Sequence, residues 1–186
     1  MSDVRKEQAY KSMFMFGMFS VVMFFAGLTS YFLVYKGFAD LKYRTIDLPP
    51  MFLLSTIVII ISSIFLIFSI SKFKNEEINF SENFLFSAIV LGFAFFLFQF
   101  LAWKNLINNG YHPTGTGTES SYLFLLTATH LLHIIFGLFF LIQTYLKMNS
   151  KNFSKESLIT VQLKYWFWHF LGFLWLFLYS FLLIVV

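Results

Sequence analysis

Three histidines, His130, His133 and His169, are the side chains of this 186-residue sequence whose chemistry could go beyond packing, and Gln99 is the one strong amide of the third apolar run. All four fall inside long apolar runs, where an imidazole can ligate haem iron, relay a proton or hydrogen-bond to a neighbouring helix. Axial ligation of a haem needs two imidazoles facing each other at one depth. Counting ~1.5 Å per helical residue, His133 lies roughly 16 Å below one end of its run, while His169 lies about 6 Å from the opposite end of its own. In a hydrocarbon core of about 30 Å these two miss each other by roughly 8 Å, and His130 by more. Proton relay fails for a different reason. No Asp or Glu lies within any of the runs, and a pump or ion-coupled transporter ordinarily places a carboxylate there. What remains for His130, His133 and His169 is internal packing and interhelical hydrogen bonding, with lipid contact as a second role, and Gln99, Ser55 and Ser62 read the same way. No residue is assigned a catalytic or metal-binding role. The fourth histidine, His112, sits with Pro113, Thr114, Gly115 and Gly117 and reads as a solvated loop residue. The absence of cysteine removes disulfides, thiolate metal sites and thioether haem attachment.

The elements that must position these side chains follow from composition. Hydrophobic residues make up 59% of the chain and charged residues 12%, a balance that suits lipid better than water. A span needs ~20 apolar residues, and only helices satisfy their backbone within one segment there. The fold class is therefore all-α: a polytopic bundle of five transmembrane helices in one transmembrane domain over residues 1–186. The predicted spans are 13–35, 52–70, 84–103, 122–146 and 165–186. Asp47 before Pro49 and Pro50, Ser81 before Glu82, and Glu119 with Ser120 supply helix-start signals. Residues Ser154–Lys164 mix charge and aliphatics and are expected to start the last helix at the interface. The first run is too long for a signal-peptide core and lacks a small-residue cleavage site, so it reads as a retained anchor.

Lys and Arg beside a span resist translocation, whereas acids count little. One side carries Arg5, Lys6, Lys11, Lys72, Lys74, Lys147, Lys151, Lys155 and Lys164; the other carries Lys36, Lys42, Arg44 and Lys104. The N-terminus is accordingly expected inside and the C-terminus outside. The net charge of +4 is a topology signal and a contact for anionic headgroups, not a nucleic-acid surface. At the span ends Lys36, Lys104 and Lys164 are expected to snorkel. Trp103, Trp166 and Trp168 read as interfacial anchors, and Trp175 as deeper packing.

Association in lipid rests on close packing through small residues and on interhelical hydrogen bonds. Ser55, Ser62 and Ser69 recur every seven residues, with Thr56 and Ser63 beside them. Gly17, Ser20, Phe24, Gly27 and Tyr31 form a face of the first span, and Ala88, Gly92 and Gln99 a face of the third. His130 and His133 with Gly137, and Tyr165, His169, Gly172, Leu176 and Ser180, form two more. Five mutually packed helices are expected from these stripes.

From about Phe16 to the C-terminus, the motifs resemble in order those of the subunit III family of cytochrome c oxidases. The stretch GMFSVVMFFAG at 17–27 looks like the family's helix that carries an intramembrane glutamate. LPPMFLLST at 48–56, followed by Ser62 and Ser63, resembles its "LP…NT…SS" helix start. THLLHIIFG at 129–137 is similar to T-G-x-H-x-x-H-x-x-x-G, and YWFWHFLGFLW at 165–175 to Y-W-H-F-x-D-x-x-W. Two departures stand out: the family's Glu aligns with Val21 and its Asp with Gly172. Whatever those acids do in relatives is not carried over. The chain looks like the shorter form that begins at the third helix of seven-helix members.

The resemblance implies a non-catalytic subunit that supports electron transfer from cytochrome c to oxygen with proton pumping. It implies haem and copper in partner subunits and none on this chain, with bound phospholipid as a further ligand. Oxidase subunits I and II, membrane lipids and a larger respiratory supercomplex are the implied partners, and a bacterial inner membrane the location. The competing reading is a haem-binding, cytochrome b-type membrane anchor of a quinone-linked respiratory complex, which also uses intramembrane histidines. A third is a scaffold protein outside any oxidase.

Overall fold

Backbone groups facing lipid find no water, so each long apolar run closes its own hydrogen bonds as a helix. The computed structural model describes residues 3–38, 46–75, 77–115, 117–149 and 156–185. Lys42, Arg44, Lys151, Ser154, Lys155 and Val186, used in the readings above, lie outside them. The described residues form α1 (Asp3–Phe38), α2 (Pro50–Lys74), α3 (Ile78–Asn108), α4 (Thr118–Asn149) and α5 (Glu156–Val185). All five are long and apolar enough to cross a membrane.

Four of the helices overrun the predicted spans at both ends, and α5 at its N-terminal end, because hydrogen bonding propagates into polar flanks once a helix is nucleated. The start signals divide. Glu119 does stand in the first turn of α4. Asp47, by contrast, caps nothing: Pro49 takes the cap position of α2 with no side-chain bond, and Pro50 starts the helix, where its missing N–H is no loss and its fixed φ is already helical. Ser81 lies inside α3, which begins at Ile78, and its hydroxyl is committed to α2. The turn between α2 and α3 is held by an ion pair from Lys72 to Glu77 at 2.8 Å.

Helices α2, α3, α4 and α5 close a ring in which each touches the next, and among the described residues α1 lies outside it against α4 and α5 alone. The expectation of five mutually packed helices is corrected by this arrangement. So is the inward face assigned to α1: Gly17, Ser20, Phe24, Gly27 and Tyr31 are exposed, while Phe25, Thr29 and Phe32 are buried. Aromatic area accounts for the choice. Phe32 stacks on Tyr122 with ring centroids 4.0 Å apart, and Phe25 meets the His133 ring edge-on at 5.5 Å. Such pairs add ≈ 0.5–1.5 kcal/mol beyond the area they cover, which a strip of glycines cannot match.

Candidate functional site

The serines of α2 build a polar seam through the middle of the ring. Ser69 and Ser81 bond reciprocally to each other's carbonyl oxygens at 2.9 and 2.8 Å. Ser62, seven residues earlier, donates to the Ala88 carbonyl at 3.0 Å, seven residues later on the antiparallel α3. Ser55 accepts from Gln99 Nε2 at 3.0 Å and itself donates to the Phe52 carbonyl at 2.8 Å. A hydroxyl or a methyl is short enough to let two backbones approach to this distance. The heptad of serines therefore sets the register of the α2–α3 hairpin.

The same seam takes three donors from α5. Tyr165 shares a hydrogen bond with Ser69 at 3.0 Å, Trp168 Nε1 donates to Ser62 at 3.1 Å, and Trp175 Nε1 donates to Thr56 at 3.0 Å. Trp168 is fully buried, so it is no interfacial anchor. Its indole lies in a notch made by two glycines: a Cβ added at Gly92 would come within 2.8 Å of it, and one at Gly137 within 3.0 Å. One ring thus meets α2, α3 and α4 at once. Trp166 is exposed, as an anchor would be. Trp103 is half-buried and donates to Thr127 at 3.0 Å, tying α3 to α4.

The histidines are not brought together around one point. His130 is fully buried among Phe25, Phe95 and Trp175, stacked on the last at 5.2 Å, and among the described residues neither ring nitrogen has a hydrogen-bond partner. His133 pairs its Nδ1 with the Thr129 carbonyl of its own helix at 2.8 Å. The interhelical hydrogen bonds expected of these two are therefore not formed; aromatic packing takes their place. His169 faces elsewhere, into a groove between α2 and α5 lined by Ile59, Ile60, Ser63, Gly172 and Phe173. Among the described residues no group of three His, Cys, Asp or Glu side chains is placed to hold a metal ion.

At the two ends of the bundle, side chains expected to snorkel are engaged inside the protein. Lys36 of α1 bonds the Val185 carbonyl at the end of α5. Lys164 of α5 donates to Gln143 of α4 at 3.1 Å and lies over the Phe140 ring. Tyr35 of α1 donates to Thr118 of α4 at 3.0 Å. Lys104 and His112 are exposed. Sequence reasoning found the serine heptad and Gln99 but not Tyr165, Trp168 and Trp175 as the donors to it. The signal was present in their i, i+3, i+10 spacing on α5, which keeps all three on one face.

A family model described as cytochrome c oxidase subunit III matches residues 9–185 of the chain. Cytochrome c oxidase subunit 3 of Rhipicephalus sanguineus is 28% identical over 130 residues, 70% of this chain and 49% of that protein. Cytochrome bo(3) ubiquinol oxidase subunit 3 of Buchnera aphidicola is 32% identical over 133 residues, 66% of each chain. The probable quinol oxidase subunit 3 of Staphylococcus haemolyticus is 24% identical over 131 residues, 70% of this chain and 65% of that one. The chain spans about half the length of the first relative and just under two thirds of the other two.

Proposed function

We propose a role that proceeds from one premise: the chain belongs to the cytochrome c oxidase subunit III family. It is a multi-pass membrane subunit of a haem-copper oxidase, of a kind that does not carry the catalytic metal centres, and other oxidase subunits accompany it. In our reading it supports a catalytic subunit that reduces oxygen with electrons from cytochrome c, coupled to proton pumping. Subunits I and II and membrane lipids are its partners, in a bacterial cytoplasmic membrane, and a larger respiratory supercomplex is a further assembly it would enter. The match over residues 9–185 is the observation that carries this reading. Its support from geometry is that hydroxyls of α2 bond inside the bundle to Gln99 Nε2 and to the Trp168 and Trp175 indoles, which suits a scaffold. His130, His133, His169, Gln99, Ser55 and Ser62 are interhelical packing or lipid-contact residues on this reading, within a single transmembrane domain whose N-terminus is inside and C-terminus outside.

A second reading of the electron donor has its own support, since two of the relatives are named as quinol oxidase subunits. Purification in mild detergent separates the readings. The chain is expected to co-purify with haem- and copper-containing subunits that oxidise reduced cytochrome c; a preparation that oxidises only ubiquinol moves the assignment to the quinol branch. The isolated chain is expected to show no Soret band, and His169→Ala to leave the haem content of the complex unchanged. A stoichiometric b-type haem on this polypeptide would instead support the membrane-anchor reading.

A further inference from the structure

Resting on the reading of the chain as an oxidase subunit, we infer that the groove between α2 and α5 is the seat of a transmembrane helix from a neighbouring subunit, one that presents a hydrogen-bonding side chain to His169 and Ser63. The groove has a volume of about 240 Å³ and is lined by Ile59, Ile60, Ile64 and Phe173 around His169, Ser63 and Gly172. That volume is several times the ≈ 30 Å³ that one water molecule occupies in the liquid, enough for side chains from a helix laid along it. Phe173 is 71% exposed at the rim. Gly172 keeps the floor open, since a Cβ there would already stand in van der Waals contact with Ser63 Oγ at 3.4 Å.

The two polar groups decide what the groove is for. Elsewhere the serines of α2 at 55, 62 and 69, and the indoles of Trp103, Trp168 and Trp175, find a neighbouring helix or a carbonyl. His169 and Ser63 are both half-buried, and among the described residues neither makes a side-chain hydrogen bond within the chain. An acyl chain offers them no donor or acceptor. A headgroup does not reach the deeper of the two: Ser63 lies nine residues before Lys72 on α2, roughly 14 Å along the axis, well below the interface that the lysine marks. A helix with one hydroxyl, amide or carboxylic acid among apolar side chains supplies what the site lacks, and in lipid such a bond together with close packing is what joins helices.

A benzophenone amino acid placed at position 173 or 60 of the chain, in the intact complex, tests this directly. Irradiation is expected to give a covalent adduct with another oxidase subunit, mapped by mass spectrometry to one transmembrane segment. Adducts with lipid alone, or with a second copy of this chain, overturn the inference. The pair His169→Leu with Ser63→Ala is expected to lower retention of the chain through detergent washing of the complex about fivefold. The thermal stability of the isolated chain should stay unchanged, because neither side chain is bonded within it. Unchanged retention counts against the helix. Should the unmodified chain purify without any haem-containing subunit, the parent reading fails first, and this one with it.

Discussion

Gln99 presents two polar ends to the interior of the bundle, and among the described residues only one is used: Nε2 donates to Ser55 while Oε1 is buried without a partner. A buried group left unmade costs about 1–3 kcal/mol, whereas removing both members of a bond is close to neutral. Gln99→Leu deletes the orphan carbonyl, and Ser55 keeps the Phe52 carbonyl as its acceptor. Ser55→Ala instead strands Nε2 beside an oxygen already stranded. The leucine variant is therefore expected to be the more stable of the two by at least about 1 kcal/mol, measured by reversible unfolding in detergent or by steric trapping. Equal stabilities would mean that Gln99 has another partner. The Ser55–Ser62–Ser69 heptad was legible in the sequence because its period belongs to one helix. The place of Trp168 was not. Its indole needs gaps supplied by Gly92 of α3 and Gly137 of α4 and an acceptor from α2, and a one-dimensional pattern holds no information on which distant glycines will face one ring. The W-x-W-H cluster looked interfacial from its neighbours alone.

Small residues on a helix mark close approach only where another element arrives, and α1 and α3 show both outcomes. A Cβ built at Gly17 or Gly27 of α1 meets no atom within 4 Å. At Gly92 of α3 it would stand 2.6 Å from Leu138 Cδ2 and 2.8 Å from the Trp168 ring. The indole is held by its bond to Ser62 and by Gly137 on its other side. Gly92→Ala is expected to destabilise the isolated chain by about 1–3 kcal/mol, the usual cost of overfilling a packed interior. Gly27→Ala should leave it unchanged or raise it by up to about 1 kcal/mol, as glycine is a weak helix former. A matched loss at both positions, read by thermal unfolding in one detergent, would show that α1 carries a second packed face. The helix pattern by itself ranked the two stripes alike. What separated them is that Phe25 and Phe32, seven residues apart on α1, turn the opposite face of that helix toward the aromatic rings of α4.

The two ends of the molecule are chemically unlike, and the proposed orientation of the chain rests on that difference. Contacts from Lys36 to the Val185 carbonyl and from Tyr35 to Thr118 gather the C-terminal ends of α1 and α5 and the N-terminal end of α4 at one end. Lys164 and Gln143, with the Lys72–Glu77 turn, belong to the other. The second end is the richer in Lys and Arg by sequence, and cations retained near span ends stay on the side where the protein is made. The natural absence of cysteine makes this testable without a background to remove. Thr114 lies exposed in the α3–α4 connection, and Asn75 lies exposed after α2, so a thiol at either place is open to reagent without touching the seam. Thr114→Cys is expected to react with a membrane-impermeant maleimide added to intact cells, and Asn75→Cys only after permeabilisation. The opposite pattern would invert the topology. It would also turn the α2–α5 groove end for end in the membrane, because α2 and α5 would exchange their inner and outer ends together while the bonds that join them stayed the same.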